Sequence, residues 1–163
     1  VCCDLDNTLL GDRVQEATFH TWWSKLPPNS RPILIYNTGR THVGNCRDAV
    51  RSSGLPEPSY YICGVGTSVV RVEGDVVLSS LLRDTFDSRW TGREAVENAV
   101  YRVLPHNRAT LQCMSEQSEW KVSFHASNLT EEEVESLRRE LPYACIVYSS
   151  NRNLDVLPRG ADK

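Results

Sequence analysis

The sequence lacks the features of a membrane-spanning or secreted protein. No segment of its 163 residues is long and apolar enough to cross a bilayer. No basic stretch followed by an apolar run resembles a secretory signal. Clustered positive charge, the mark of nucleic-acid binding, is also missing, because the 18 Lys and Arg residues are scattered among 21 Asp and Glu. We therefore expect no membrane and no nucleic-acid partner, and the pattern leaves the oligomeric state open.

Cysteine pairs of the kind that bind structural zinc are absent as well. The six cysteines include no CxxC pair, and the four histidines are spread without ligand spacing. Cys63 and Cys145 lie inside apolar runs, which is typical of buried free thiols. Because free thiols persist in reducing compartments, we expect a cytoplasmic protein.

An initiator methionine is missing too. The sequence opens inside an apolar run, Val1 to Cys3, which we interpret as the end of a buried strand. We therefore expect a fragment truncated at its start, from which a targeting sequence could have been lost.

The sequence does contain a regular alternation of short apolar runs and amphipathic segments. Buried strands are predicted at 1–3, 33–36 and 60–65, with helices at 12–25 and 41–53 between them. Short apolar strands separated by helices predict an α/β fold with a parallel sheet.

The pattern changes further along the chain. An α-β-β-α-β succession over residues 91–148 predicts a small α+β lid. Its two helices are predicted to begin with capping boxes, Thr91 with Glu94 and Thr130 with Glu133.

The lid is predicted to interrupt the core. Residues 154–157 again form an apolar run, which we assign to the parallel sheet. The expected domains are a core at 1–83 and 150–163 and a lid at 84–149.

The residues that carry chemistry lie where the first predicted strand ends. Asp4 and Asp6 follow that strand, and in open α/β sheets ligands bind at the carboxyl ends of the strands. Asp4 can attack a phosphorus atom and form an aspartyl-phosphate, while Asp6 can protonate the leaving alcohol and later deprotonate water. An Asx-rich turn would place the same residue types here, and the spacing alone does not decide between the two interpretations.

Three motifs in this order resemble those of the haloacid dehalogenase (HAD) superfamily. DLDNTLL at 4–10 is similar to the first motif, NTGRT at 37–41 to the second, and DVLPRGADK at 155–163 to the approach to the third. The resemblance implies a Rossmann-like core. Arg40, inside the second motif, is left open between a phosphate contact and an exposed structural role.

The same resemblance implies how the active site is divided among residues. Asp4 is implied as the nucleophile and Asp6 as the acid/base. Thr38 and Gly39 are implied to hold the phosphoryl group at a helix N-terminus, and Lys163 to neutralise it. Mg²⁺ is the implied cofactor, with Asp4 and the main-chain carbonyl of Asp6 as ligands.

Further segments resemble sucrose-phosphate phosphatases more narrowly. ATLQCMSEQ at 109–117 followed by WKVSF at 120–124 is similar to the lid of that family, and YSSNRNLDVLP at 148–158 and CGVGT at 63–67 are similar to other parts of it. The resemblance covers nearly the whole chain. It implies a C2-type cap and hydrolysis of sucrose 6-phosphate to sucrose and phosphate.

Polar lid residues are the candidate sugar ligands, because sugar hydroxyls need polar partners. The candidates are Glu116, Gln117, Lys121 and Ser123. Lys121 and Ser123 share one face of their predicted strand, since side chains alternate with a period of two. The alternative is a solvated β-face.

One expected motif is missing from the sequence. The fourth motif of the superfamily, a Gly-Asp followed by a further Asp, supplies metal-binding carboxylates, and we expect it beyond Lys163. We therefore expect a fragment truncated at both ends that binds Mg²⁺ poorly and lacks activity by itself.

Two alternative functions stay open. One is a non-catalytic binding or assembly domain of a sucrose-phosphate synthase. The other is a phosphatase of another phosphosugar, of mannosyl- or glucosyl-glycerate type. Non-catalytic domains of this kind tend to lack the paired aspartates, so Asp4 and Asp6 favour an enzyme.

Overall fold

The N-terminal part of the chain alternates strands with helices. The computed structural model describes residues 1–78, 82, 84–86 and 88–161, and its contacts divide the chain into a first unit, residues 1–80, and a second unit, residues 81–162. The elements of the first unit are β1 (Cys2–Asp4), α1 (Arg13–Lys25), β2 (Ile35–Asn37), α2 (Val43–Ser53), β3 (Tyr60–Cys63), β4 (Ser68–Arg71) and β5 (Val76–Val77).

The sheet of the first unit has the order β1-β2-β3-β4-β5. β1, β2 and β3 are parallel, and β4 and β5 extend the sheet as antiparallel strands. The predicted α/β fold with a parallel sheet is confirmed. The register sets Asp4 beside Asn37, so the carboxyl ends of β1 and β2 meet at one end of the sheet.

Buried side chains hold the DLD segment in this unit. Tyr36 and Tyr61, from the two central parallel strands, are fully buried in one core cluster. Leu5 is fully buried in the same cluster, and burying a leucine side chain stabilises a protein by about 1.5–3 kcal/mol. Leu5 therefore anchors the chain between Asp4 and Asp6, which leaves these two residues at the border of the core.

The second unit is built on a separate antiparallel sheet. Its elements are α3 (Arg93–Val103), β6 (Thr110–Leu111), β7 (Val122–His125), α4 (Glu131–Glu140), β8 (Ala144–Ser149) and β9 (Asn153–Pro158). The strand order is β6-β7-β9-β8, and its core includes Val100 of α3, Phe124 of β7 and Leu137 of α4. Among the helices of the described ranges, none is long and apolar enough to cross a membrane.

One predicted strand lies in a different sheet from the one expected. The sequence pattern predicts that the run 154–157 belongs to the parallel core, but β9 pairs antiparallel with both β7 and β8. The assignment is wrong because Ser149 pairs with Asn153 across a short turn, in which Ser150 and Asn151 have φ of 53° and 52°. So short a loop joins antiparallel neighbours, and an apolar run alone does not reveal which sheet it enters.

The two helices of the second unit begin differently. Thr130 caps α4 as predicted: its hydroxyl accepts from Glu133 N at 3.2 Å, and the Glu133 carboxylate accepts from Thr130 N at 2.7 Å. The predicted box of Thr91 with Glu94 is wrong. α3 starts one residue later than that box requires, with Gly92 as N-cap at φ 87° and no side-chain cap.

Candidate active site

The candidate site begins where β1 ends. Asp4 is the last residue of β1, and its Oδ1 accepts from Leu5 N at 2.9 Å while its Oδ2 accepts from Thr8 Oγ1 at 3.3 Å. The following turn closes on the Leu5 carbonyl, which accepts from Leu10 N at 2.8 Å. Asn7 adopts φ 59° in this turn, a conformation that Asn tolerates well. The turn that follows the strand therefore orients the Asp4 carboxylate.

Asp6 is held by another segment of the chain. Arg40 donates from Nη2 to Oδ1 at 2.7 Å and from Nε to Oδ2 at 3.0 Å. Thr38 Oγ1 donates to the same Oδ2 at 3.3 Å. A two-pronged guanidinium contact of this kind fixes the plane of a carboxylate as well as its position. The orientation of Asp6 therefore depends on the residues that follow β2.

Thr38 and Gly39 are the predicted phosphate ligands. Thr38 is fully buried, and its hydroxyl accepts from Arg40 N at 3.2 Å in addition to donating to Asp6. A Cβ added at Gly39 would meet a Val65 methyl group at 4.0 Å and no closer atom of the described chain. Because glycine has no Cβ, a ligand can approach its main chain more closely than that of other residues. The Thr38 hydroxyl donates its proton to Asp6 in this structure. Phosphate binding by Thr38 and Gly39 stays a prediction.

Arg40 connects the segments of this site. Its Nη1 donates to the Asn45 carbonyl in α2 at 3.3 Å, and its own carbonyl accepts from Gly64 N at 2.8 Å. Gly64 opens the turn after β3 and has φ 59°. The signal that would have revealed the contact with Asp6 is register: β1 and β2 are adjacent, so an arginine shortly after β2 is within reach of a carboxylate shortly after β1.

Buried thiols lie in the same unit. All six cysteines are free, and the buried Cys46 and Cys63 have their sulfurs 3.7 Å apart. The hydrogen bond between Cys46 and Cys63 lowers the pKa of Cys46, and the same bond together with burial raises the pKa of Cys63. The prediction of a buried free thiol is confirmed for Cys63, whereas Cys145 is only partly buried.

A polar cluster is buried in the second unit. Ser123 Oγ donates to Asp155 Oδ1 at 2.6 Å, and Lys121 Nζ lies 3.7 Å from the same oxygen. Lys121 is 3% exposed and Ser123 is fully buried. Lys121 and Ser123 therefore share a face as predicted, and the sequence interpretation missed Asp155 because it placed residues 154–157 in the other sheet.

Gln117 and Glu116 differ in burial, because Gln117 is 5% exposed and Glu116 is partly exposed. The Gln117 amide donates to the carbonyls of Gln112 and Ser123 at 3.0 and 2.8 Å and accepts from Ser123 N at 2.8 Å. It thereby continues the hydrogen bonding of β7 beyond the end of β6. Both amide protons of Gln117 are used within the second unit, and its role in sugar binding stays a prediction. Glu116 is partly exposed and stays a candidate.

The predicted metal and phosphate ligands are only partly present in the described chain. Lys163 lies outside the described residues. Within the described ranges, no three His, Cys, Asp or Glu side chains are grouped so that they could hold a metal ion. Asp4 and Asp6 offer oxygen donors, the type that Mg²⁺ prefers, and they fit one part of its octahedral shell.

Comparison with known proteins places the chain among sugar phosphatases. A family model described as sucrose-6F-phosphate phosphohydrolase matches residues 1–163. The mannosylfructose-phosphate phosphatase of Agrobacterium fabrum (strain C58 / ATCC 33970) is 33% identical over 168 residues, which cover 98% of this chain and 64% of that protein. The probable sucrose-phosphatase 3b of Arabidopsis thaliana is 27% identical over 174 residues, which cover 100% of this chain and 39% of that protein. The chain thus spans less than two thirds of the length of these relatives.

Solved structures share the fold. The sucrose-phosphatase of Synechocystis sp. PCC6803, in complex with sucrose and phosphate, has a TM-score of 0.77 at 21% identity, covering 98% of this chain and 64% of that chain. A haloacid dehalogenase-like hydrolase from Bacteroides thetaiotaomicron has a TM-score of 0.62 at 11% identity, covering 99% of this chain and 71% of that chain. At these identities the likeness concerns the HAD fold.

Proposed function

The chain belongs to the sucrose-6F-phosphate phosphohydrolase family, and from this premise we propose that the whole protein hydrolyses a phosphorylated sugar. The observation that carries the proposal is the pair of aspartates at the end of β1. Asp4 is oriented by its own turn and Asp6 by Arg40 and Thr38. Two separately oriented carboxylates suit a reaction that needs a nucleophile and an acid/base.

The proposed first step transfers the phosphoryl group to Asp4. A carboxylate oxygen of Asp4 attacks phosphorus while the bond from phosphorus to the sugar oxygen breaks, and Asp6 gives a proton to that oxygen. The products are the free sugar and an aspartyl-phosphate. Because hydrogen bonds from Leu5 N and Thr8 already orient Asp4, little reorganisation precedes the attack.

The proposed second step returns the enzyme to its starting state. Asp6 takes a proton from a water molecule, whose oxygen attacks phosphorus and releases Asp4 and inorganic phosphate. Thr38, Gly39 and Lys163 are the proposed phosphoryl ligands, because they stand in the segments that resemble the second and third superfamily motifs.

We include Mg²⁺ in the proposal because the available donor atoms are oxygens, the type that this ion prefers. The Asp4 carboxylate and the main-chain carbonyl of Asp6 would hold the ion. When bound, Mg²⁺ neutralises negative charge on the phosphoryl oxygens.

Sucrose 6-phosphate is the proposed substrate, supported by the family match. The phosphate of mannosylfructose is the alternative, since the Agrobacterium fabrum relative is named for it. The groups that we propose for sugar recognition lie in the second unit and belong to Glu116, Gln117, Lys121, Ser123 and Asp155. The contacts of Asp155 with Ser123 and Lys121 support its inclusion. Phosphatases of mannosyl- or glucosyl-glycerate type remain a further alternative.

The test is phosphate release by the whole protein with Mg²⁺. We expect the highest kcat/KM on sucrose 6-phosphate among that substrate, mannosylfructose phosphate and the phosphorylated glycosyl-glycerates. Asp4→Asn, which keeps the side-chain shape, should lower turnover by several orders of magnitude without changing the unfolding temperature, because it removes the nucleophile. A folded wild-type protein that hydrolyses none of these substrates would support a non-catalytic binding domain instead.

A further inference from the structure

The contacts of Arg40 indicate a role in the chemical step. We propose that Arg40 is a positioning residue, which holds the Asp6 carboxylate where it exchanges a proton with the sugar oxygen, and that Arg40 is not a phosphate ligand. This inference rests on the proposed function, because it requires Asp6 to act as the acid/base.

The first support is the geometry of the ion pair. Arg40 contacts both Asp6 oxygens, at 2.7 Å from Nη2 and 3.0 Å from Nε. The two side chains are 34% and 43% exposed, and an ion pair this accessible to solvent contributes little to stability. The main consequence of the contact is therefore a fixed carboxylate plane rather than a more stable fold.

The second support is that Arg40 is itself anchored on three sides. Its main-chain N donates to Thr38 Oγ1 at 3.2 Å, its carbonyl accepts from Gly64 N at 2.8 Å, and its Nη1 donates to the Asn45 carbonyl at 3.3 Å. Thr38 follows β2, Gly64 follows β3, and Asn45 lies in α2. These hydrogen bonds hold Arg40 in a fixed position within the first unit. Because the guanidinium is fixed, it also fixes the Asp6 carboxylate.

The third support is that Asp6 already occupies one edge of the Arg40 guanidinium. A two-pronged contact with a phosphate would need two neighbouring N–H groups of a guanidinium. The Nε and Nη2 edge faces Asp6, and Nη1 donates to Asn45. A phosphoryl group would have to displace Asp6 to use the first edge, which would remove the acid/base from its position.

The experiment separates the two roles by the leaving group. The sugar oxygen of sucrose 6-phosphate needs a proton to depart, whereas 4-nitrophenolate departs without one. We expect Arg40→Gln in the whole protein to lower kcat on sucrose 6-phosphate by about 10²-fold, at the lower end of the range for lost acid–base catalysis. The burst of 4-nitrophenolate, which reports the first step alone, and inhibition by inorganic phosphate should both stay within about twofold of wild type.

Two further variants complete the test. Arg40→Lys keeps the charge but loses the fork, so it should recover only part of kcat. Arg47→Gln is the matched control, because Arg47 lies in α2 and pairs with Asp75 at 2.7 Å. This variant should leave the turnover of both substrates unchanged.

A double-mutant comparison gives the decisive result. In an Asp6→Asn background, Arg40→Gln should cause no further loss on sucrose 6-phosphate, because a positioning residue has nothing left to position. An additional loss in that background, an equally large fall in the rate of the 4-nitrophenolate burst, or weaker inhibition by phosphate would overturn the inference. Wild-type turnover by Asp6→Asn alone would instead contradict the proposed function.

Discussion

At the residue scale, the two aspartates of the DLD segment depend on different neighbours. Asp4 is oriented by hydrogen bonds from Leu5 N and Thr8 within its own turn. Asp6 depends on Thr38 and Arg40, more than thirty residues away in sequence. Substitutions of Thr38 or Arg40 should therefore affect the acid/base step, because they remove hydrogen bonds to Asp6.

Lys121 is the residue of the second unit whose role is most directly testable. It lies 3.7 Å from Asp155 and is 3% exposed. If it binds sugar hydroxyls, Lys121→Ala should lower kcat/KM on sucrose 6-phosphate by about 10- to 100-fold, since a hydrogen bond to a charged group contributes about 1.5–3 kcal/mol. Hydrolysis of 4-nitrophenyl phosphate, which has no sugar, should change little.

Lys25→Ala is the control for Lys121→Ala. Lys25 is an exposed lysine at the end of α1, and its loss should leave both substrates at wild-type rates. Thermal unfolding of both variants checks that the protein is folded at the assay temperature. Equal losses on the two substrates in Lys121→Ala would remove Lys121 from sugar recognition.

At the element scale, the two helices of the second unit offer a matched pair of substitutions. Thr130→Ala removes the side-chain cap of α4 and should lower the free energy of unfolding by about 1 kcal/mol. Thr91→Ala should have a clearly smaller effect, because Gly92 rather than Thr91 is the N-cap of α3. Urea unfolding of both variants measures the difference, and an equal effect at the two positions would contradict the observed helix starts.

The turn between β8 and β9 determines which sheet β9 joins. Asn151 has φ 52°, accepts from Tyr148 Oη at 3.1 Å and donates to Asn128 Oδ1 at 2.7 Å. Asn151→Val should therefore destabilise the protein by at least about 1–2 kcal/mol, the usual cost of a left-handed conformation for such a residue. Ser150→Gly is the control and should be neutral, because glycine adopts φ 53° without strain. No change in the urea midpoint of Asn151→Val would show that the turn is not under this constraint.

The elements also show how far the sequence determines the fold. The parallel strands β1, β2 and β3 follow from short apolar runs separated by helices, and the cap at Thr130 follows from its Glu three residues later. β9 was misplaced because an apolar run fits either sheet, although the Ser and Asn residues before it are typical of a tight turn. The start of α3 was misplaced by one residue because Thr91 and Gly92 are both acceptable N-caps.

At the scale of the whole molecule, the site residues that could be predicted are those whose position follows from a strand end. Asp4 and Asp6 are of this kind. The contact of Arg40 with Asp6 depends on which strands are neighbours, and the contact of Asp155 with Ser123 depends on which sheet β9 joins. Both are properties of the tertiary fold, which local sequence pattern does not specify.

The central claim is that Asp4 carries the phosphoryl group during turnover. It is tested most directly by acid-quenching the whole protein during hydrolysis of sucrose 6-phosphate and locating the phosphoryl group by peptide mass spectrometry. We predict a phosphorylated peptide whose modified residue is Asp4, and no modified peptide from Asp4→Asn. A phosphoryl group on another residue would contradict the account. So would an unphosphorylated enzyme during a turnover in which hydrolysis of the phosphorylated enzyme is the slow step.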